Sequence, residues 1–290
     1  MLKTIAMLML LAFAGAAHGS APERVSFASQ SAERVTFLSN DGKTTLTGYL
    51  FLPDAGAAQK RAAQKSPAIV MMHGRAGAYS SLANGIYDAS TLSKRHQAWG
   101  ALWASQGYVA LMVDGFGPRG YAQGFPRHSY DSRPEELNEV TVRPLDAAGA
   151  LAYLRTRHDV DGARIGLQGW SNGGSATLAT MASGGFAAAL AFYPACGLKG
   201  AFDAGYKPAA PVRVFMGTAD EEVSPKRCEA FVAASRAAGG DIGIELYAGA
   251  THGFDDPSAK RQRVAANAEA TEDAVEKAVR FFGERLGARH

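Results

Sequence analysis

The chain carries almost no net charge: 30 Lys and Arg against 27 Asp and Glu leave +3 at pH 7. The basic residues are scattered among acids rather than gathered into a stripe, which excludes the electrostatic footprint of a nucleic-acid-binding protein. No apolar run reaches the roughly 20 residues that cross a bilayer. No pair among His73, His96, His128 and His158 has ligand spacing, so no metal site is expected. Neither an internal repeat nor a long linker divides the chain, and a 290-residue sequence that is 47% hydrophobic can bury one large core. A single domain over residues 20–290 is expected. Cysteine occurs only as Cys196 and Cys228.

The first residues have the layout of an export signal: Lys3 as positive n-region, Ile5 to Ala14 as apolar core and Ala17-His18-Gly19 as a small-x-small cleavage site. Residues 1–19 are therefore expected to be a signal peptide, removed near Ser20, and the mature protein to be secreted, into the periplasm. An oxidising compartment permits a bond between Cys196 and Cys228. Each cysteine follows one of two successive expected strands, and such strands usually lie side by side, so a Cys196–Cys228 disulfide is expected.

The mature chain opens with alternating runs at Glu33 to Ser39 and Thr44 to Leu52 around Asn40-Asp41-Gly42-Lys43, a hairpin signal. After an Ala, Gln and Lys loop from Ala55 to Ser66, the continuous apolar run Ala68 to Met72 has the composition of a strand buried on both faces. Strands and helices then alternate. Strands are expected at Tyr108 to Val113, Arg164 to Gln168, Ala187 to Tyr193, Val212 to Gly217 and Ile242 to Tyr247. Helices are expected at Thr91 to Gln106, at Glu135 to Thr156 opened by Pro134 and interrupted by Pro144, at Pro225 to Ala238 and at Ala265 to Leu286. This alternation predicts an α/β fold with a mostly parallel sheet, an antiparallel N-terminal edge and helices on both faces. The irregular stretch Gly115 to Pro134 follows a strand's C-terminal end, where open α/β sheets bind ligands.

Chemistry concentrates at Gly169-Trp170-Ser171-Asn172-Gly173-Gly174. A G-x-S-x-G turn between a strand and a helix holds its serine at a strained corner, with glycines where side chains would collide with neighbouring elements. A serine hydroxyl needs a base to take its proton, and the base needs an acid to fix its tautomer. Asp220 stands just past the strand Val212 to Gly217, and His252 just past Ile242 to Tyr247. The order Ser, Asp, His is that of the α/β-hydrolase sheet, and all three lie at C-terminal strand ends. Glu221, Glu222, Asp255 and Asp256 compete with Asp220 for the acid role. The oxyanion formed on attack needs preorganised donors: the N–H of Asn172 after the nucleophile and that of Arg75 in His73-Gly74-Arg75-Ala76-Gly77. His73 is assigned a structural role. Trp170, inside the elbow, is a candidate substrate contact.

The elbow, the His-Gly-x-x-Gly loop, Asp114 before Gly115-Phe116-Gly117-Pro118-Arg119-Gly120, and His252-Gly253-Phe254 together resemble the dienelactone hydrolase family of α/β hydrolases. The resemblance runs from about Ile69 to the final helix and implies an α/β-hydrolase fold with Ser171, Asp220 and His252 as the triad. It also makes Arg119 a candidate for gripping a substrate carboxylate. Dienelactone hydrolase itself has a cysteine nucleophile and a glutamate in the loop after the third strand, where this chain has Ser171 and Gly74. The second arginine expected just after the histidine is replaced by Asp255 and Asp256.

The function expected is hydrolysis of a small carboxylic ester or lactone by a serine nucleophile through an acyl-enzyme, without cofactor. Gly115 to Gly120 also matches G-x-G-x-x-G, but the fingerprint needs a helix opening at its third glycine, and Tyr121 to Pro126 reads as loop. Two other functions fit the scaffold: a peptidase of the prolyl-oligopeptidase-like type, which would bring a propeller-sized extension that this chain lacks, and a non-catalytic binding protein.

Overall fold

The structure is a computed structural model that describes residues 32–53 and 65–287. The signal peptide expected at residues 1–19 lies outside them. Eight strands form one sheet: β1 (Glu33–Leu38), β2 (Thr45–Phe51), β3 (Ser66–Met72), β4 (Val109–Asp114), β5 (Val160–Trp170), β6 (Ala188–Phe192), β7 (Val212–Gly217) and β8 (Ile242–Tyr247), in the order β1-β2-β4-β3-β5-β6-β7-β8. The pairs β1–β2 and β2–β4 are antiparallel and all others parallel. This is the α/β-hydrolase architecture with the expected antiparallel N-terminal edge.

The parallel strands are covered on both faces, which is why Ile69 to Met72, Val109 to Val113 and Ala188 to Phe192 are unbroken apolar runs, all buried. The covering helices are α1 (Lys94–Ser105), α2 (Arg143–Thr156), α3 (Asn172–Met181), α4 (Pro225–Ala237) and α5 (Ala265–Leu286). Every residue of α3 is buried, and its opening Gly-Gly-Ser-Ala keeps it slim enough to lie tight between sheet and neighbours. A cluster of Trp99, Trp103, Trp170 and Phe192, with rings 5.1–6.1 Å apart, fills the core beneath the site.

Two expectations for the helices are corrected. The expected helix Glu135 to Thr156 is instead a 3-10 turn, Glu135–Leu137, followed by loop and then α2. Asn138 Oδ1 accepts the Val140 and Thr141 N–H groups at 2.8 and 3.3 Å, a local turn that competes with helix. Pro144 therefore sits in the first turn of α2, where its missing N–H costs nothing. The helix expected from Thr91 starts at Lys94, because Ser93 Oγ accepts the His96 N–H at 3.3 Å and caps it.

Candidate active site

The sheet order places β3 between β4 and β5, so the chain leaves β3 in one direction and returns on its other side. A crevice opens at such a switch point, beyond the C-terminal ends of the strands. Ser171 directly follows β5 there. Its backbone is held at φ 52° and ψ −115°, a conformation costly for a residue with a Cβ. The Ser171 N–H donates to Phe192 O at 2.9 Å, and Ser171 O accepts the Ser175 N–H at 2.8 Å, so the corner is pinned from both sides. Gly173 makes it possible: a Cβ there would collide with the carbonyl oxygens of Met72 and His73, holding α3 away from the end of β3.

At this corner Ser171 Oγ lies 3.0 Å from His252 Nε2, and His252 Nδ1 lies 2.8 Å from Asp220 Oδ2. Asp220 Oδ1 accepts the N–H groups of Glu222 and Val223, both at 2.9 Å, which aims the other oxygen at the imidazole. The Asp220 side chain has no solvent exposure, and a buried carboxylate acts on its partner with little screening. The competing acids are engaged elsewhere. Glu221 Oε2 accepts the backbone N–H of His252 at 2.9 Å. Asp255 accepts the indole N–H groups of Trp99 and Trp170, both at 2.8 Å, and the Tyr193 hydroxyl at 2.5 Å, with Arg95 Nε 3.2 Å away. Tyr193 in turn sets its ring edge against the His252 imidazole, centroids 4.7 Å apart.

Asn172 is the first residue of α3, where helical N–H groups have no partner within the helix. Its side chain is clamped: Oδ1 accepts from Arg143 at 2.5 Å and Nδ2 donates to Glu139 at 3.0 Å, while the same Arg143 nitrogen donates to His73 O at 2.7 Å. Burial pulls the Arg143 guanidinium down to about 10, against the raising pull of Asp146 and Glu139. The Arg75 guanidinium meets Glu222 with two bonds, at 2.9 and 3.0 Å, and donates to Phe125 O at 2.9 Å. Among the described residues the Arg75 N–H itself joins none of the loop's hydrogen bonds, so it remains available beside Ser171. His73 is fully buried, with Nδ1 2.7 Å from Gly74 O and Nε2 taking the Gly115 N–H at 3.3 Å.

Ser171, Asn172, Arg75 and Glu222 line one cavity of about 460 Å³, together with Tyr130, Arg133, Cys196, Lys199 and Arg227. Arg119 and Trp170 do not reach it, and both expectations are corrected. Arg119, only 7% exposed, is locked on Asp146 by bonds of 2.9 and 2.8 Å and on Asp41 at 3.2 Å, so its guanidinium is used up outside the cavity. Trp170 has no exposure at all, because side chains alternate along β5 and its own points down into the aromatic core. The glycine-rich run after Asp114 is also spoken for: Asp114 Oδ1 accepts the Phe116 and Gly117 N–H groups at 3.0 and 2.8 Å, and only a short 3-10 turn follows. Cys196 and Cys228 are joined by a disulfide, Cα atoms 5.0 Å apart.

Sequence reading missed Arg143, Glu139, Arg133 and Arg127. Arg143 and Glu139 flank the start of α2 and look like surface residues of a helix; nothing local marks an arginine as buried.

The dienelactone hydrolase family model matches residues 54–286. No curated protein matches the chain. Solved structures share the fold. One is a dienelactone hydrolase-like promiscuous phosphotriesterase from metagenomic libraries, 21% identical with a TM-score of 0.66 over 88% of this chain and 98% of the other. Another is Thermogutta terrifontis esterase 2 phosphorylated by paraoxon, 21% identical with a TM-score of 0.61 over 88% and 95%. A third is a puromycin-hydrolysing peptidase of Mycobacterium tuberculosis, 20% identical with a TM-score of 0.65, of which this chain spans 42%.

Proposed function

Because this chain belongs to the dienelactone hydrolase family, we propose that it is a serine hydrolase cleaving a carboxylic ester or lactone through an acyl-enzyme on Ser171. The observation that carries the reading is the continuous chain of hydrogen bonds from Ser171 Oγ through His252 to buried Asp220, 3.0 and 2.8 Å. As Ser171 Oγ attacks the carbonyl carbon, His252 Nε2 takes its proton, and Asp220 holds the Nδ1–H and the imidazolium charge. The N–H groups of Asn172 and Arg75 receive the oxyanion. His252 then protonates the departing alcohol, and water reverses the sequence to release the acid. The protein acts as one mature domain, residues 20–290, exported to the periplasm; the Cys196–Cys228 bond suits that oxidising compartment.

The cavity also favours an anionic substrate. Among the described residues that line it, Glu222 is the only carboxylate and is matched by Arg75, whereas Arg133, Lys199 and Arg227 also line it, the last two paired at the rim with Glu135 and Asp203. These cations take the place assigned to Arg119 from sequence. A fluorophosphonate probe should label wild-type protein on Ser171 and leave Ser171→Ala unlabelled and inactive, with unchanged thermal unfolding. Labelling of the Ala variant, or retained esterase turnover, would remove Ser171 as nucleophile.

A further inference from the structure

Glu222 is not needed for the triad, yet its carboxylate stands over it. The residue lies two positions after Asp220, and its Oε2 is 3.8 Å from His252 Nε2, the nitrogen that exchanges protons with the reacting groups. Two arginines fix its position. Oε1 accepts from Arg75 Nη2 at 3.0 Å and lies 2.9 Å from Arg127 Nε in an ion pair, whereas Oε2 accepts only from Arg75 Nε at 2.9 Å. A carboxylate oxygen can accept about two hydrogen bonds, so the oxygen that faces His252 keeps one acceptor site. Burial opposes ionisation of Glu222, but the Arg75 bonds and the charges of His252, Arg75 and Arg127 hold its carboxyl below the usual range. It is thus an acceptor only at neutral pH.

Once Ser171 Oγ is esterified, His252 Nε2 no longer holds the serine hydrogen and must draw a proton from water. That water must sit within about 3 Å of Nε2. Points within about 3 Å of both Nε2 and Oε2 exist when the two atoms are 3.8 Å apart, and Glu222 lines the same cavity as Ser171. We propose that Glu222 orients the deacylating water, accepting one of its hydrogens while His252 Nε2 removes the other. The water oxygen bonds to the acyl carbon and its proton passes to His252. The tetrahedral intermediate then collapses, the bond from carbon to Ser171 Oγ breaks, and Oγ recovers the proton from His252 as the acid leaves. This rests on the acyl-enzyme reading above. Acylation uses no water, so the contact between Glu222 and water serves only the second half of the cycle, whereas the attraction of its charge for the His252 imidazolium acts in both.

The test is Glu222→Gln, which keeps the shape and one of the two oxygens that accept from Arg75, but replaces the other with an NH2 donor and removes the negative charge. With p-nitrophenyl acetate, decay of the acetyl adduct on Ser171, followed by acid quench and intact mass, should slow about 10- to 100-fold more than the burst of nitrophenol does. Hydroxylamine, a nucleophile that needs no such orientation, should accelerate that decay more in the variant than in wild type. A purely structural role, acting through Arg75 and its loop, would slow the burst and the decay together, and that result overturns the proposal, as does an unchanged decay. A wild type showing neither adduct nor fluorophosphonate labelling on Ser171 overturns the acyl-enzyme reading itself, a failure distinct from an adduct that decays equally in both proteins.

Discussion

Two arginine–carboxylate networks meet at the first turn of α2, one through Asp146 and the other through Arg143, and they differ in whether their bonding capacity is used up. At the β4 side, Arg119, Asp41, Asp146 and Ser39 close on one another, and none of their buried polar atoms lacks a partner. At the crevice, Arg143 Nε and Nη2, Glu139 Oε1 and Arg133 Nη1 are buried without one. An unpaired buried polar group costs about 1–3 kcal/mol, so such groups persist where something other than folding uses them. The filled network ties the β1–β2 hairpin to the rest of the fold. The unfilled one surrounds Asn172 and the cavity, where the proposed reaction would develop charge. An arginine near a glycine-rich loop can thus belong to either region, and only its partners tell which.

The sharpest way to separate the regions is to weaken each and read both activity and stability. Asp220→Asn should lower kcat/KM by about 10³- to 10⁴-fold, since the amide favours the wrong imidazole tautomer, while the melting temperature changes little; a loss equal to that of Glu221→Gln would move the acid role. Arg119→Met should do the opposite. It leaves the fully buried Asp146 carboxylate with only the Ser39 hydroxyl of its side-chain hydrogen bonds, costing about 3–5 kcal/mol, with activity per folded molecule unchanged. A rise in KM confined to acidic esters would return Arg119 to the substrate.

The disulfide spans the two concerns. Cys196 lines the cavity and Cys228 lies in α4, directly after the loop of Asp220 and Glu222. Closing 32 residues of chain stabilises by about 3–4 kcal/mol in the chain-entropy model. Reduction should therefore lower both melting temperature and activity, and an unaltered rate in reduced, still-folded protein would show that the tether serves stability alone.

The smallest effect expected is one of pH. Burial lowers His96 to about 4, outweighing its bond to Ala78 O at 2.8 Å, and its Nε2 is buried without a partner. The unfolded chain binds that proton below about pH 6.5 and the folded chain refuses it until about pH 4, so stability falls as pH drops through this window. The loss should reach about 2 kcal/mol by pH 4.5. His96→Gln, neutral throughout, should lose less between pH 7 and pH 4.5 by calorimetry; parallel losses in both proteins would assign the acid sensitivity elsewhere.

Much of this was legible along the chain. The strands at Val212–Gly217 and Ile242–Tyr247 and the helix at Ala265–Leu286 have the limits expected from their apolar patterning, because burial on one or both faces writes a local period. Ser171, Asp220 and His252 were each marked by a strand end and a local motif, and strand pairing then brings such ends together. Cys196 and Cys228 could be paired for the same reason. Pro144 misled because a proline's meaning depends on whether a helix has already begun, which Asn138 decides by turning the chain before it. Arg119, Trp170, Arg143, Glu139 and the Arg75–Glu222 bridge were beyond reach. Periodicity specifies which side of an element faces the core, and it does so within a few residues. Whether a charged side chain at that surface meets an acid 27 positions away, as Arg119 meets Asp146, or 147 away, as Arg75 meets Glu222, is set by how loops from different strands settle over the sheet edge, and no local pattern encodes that.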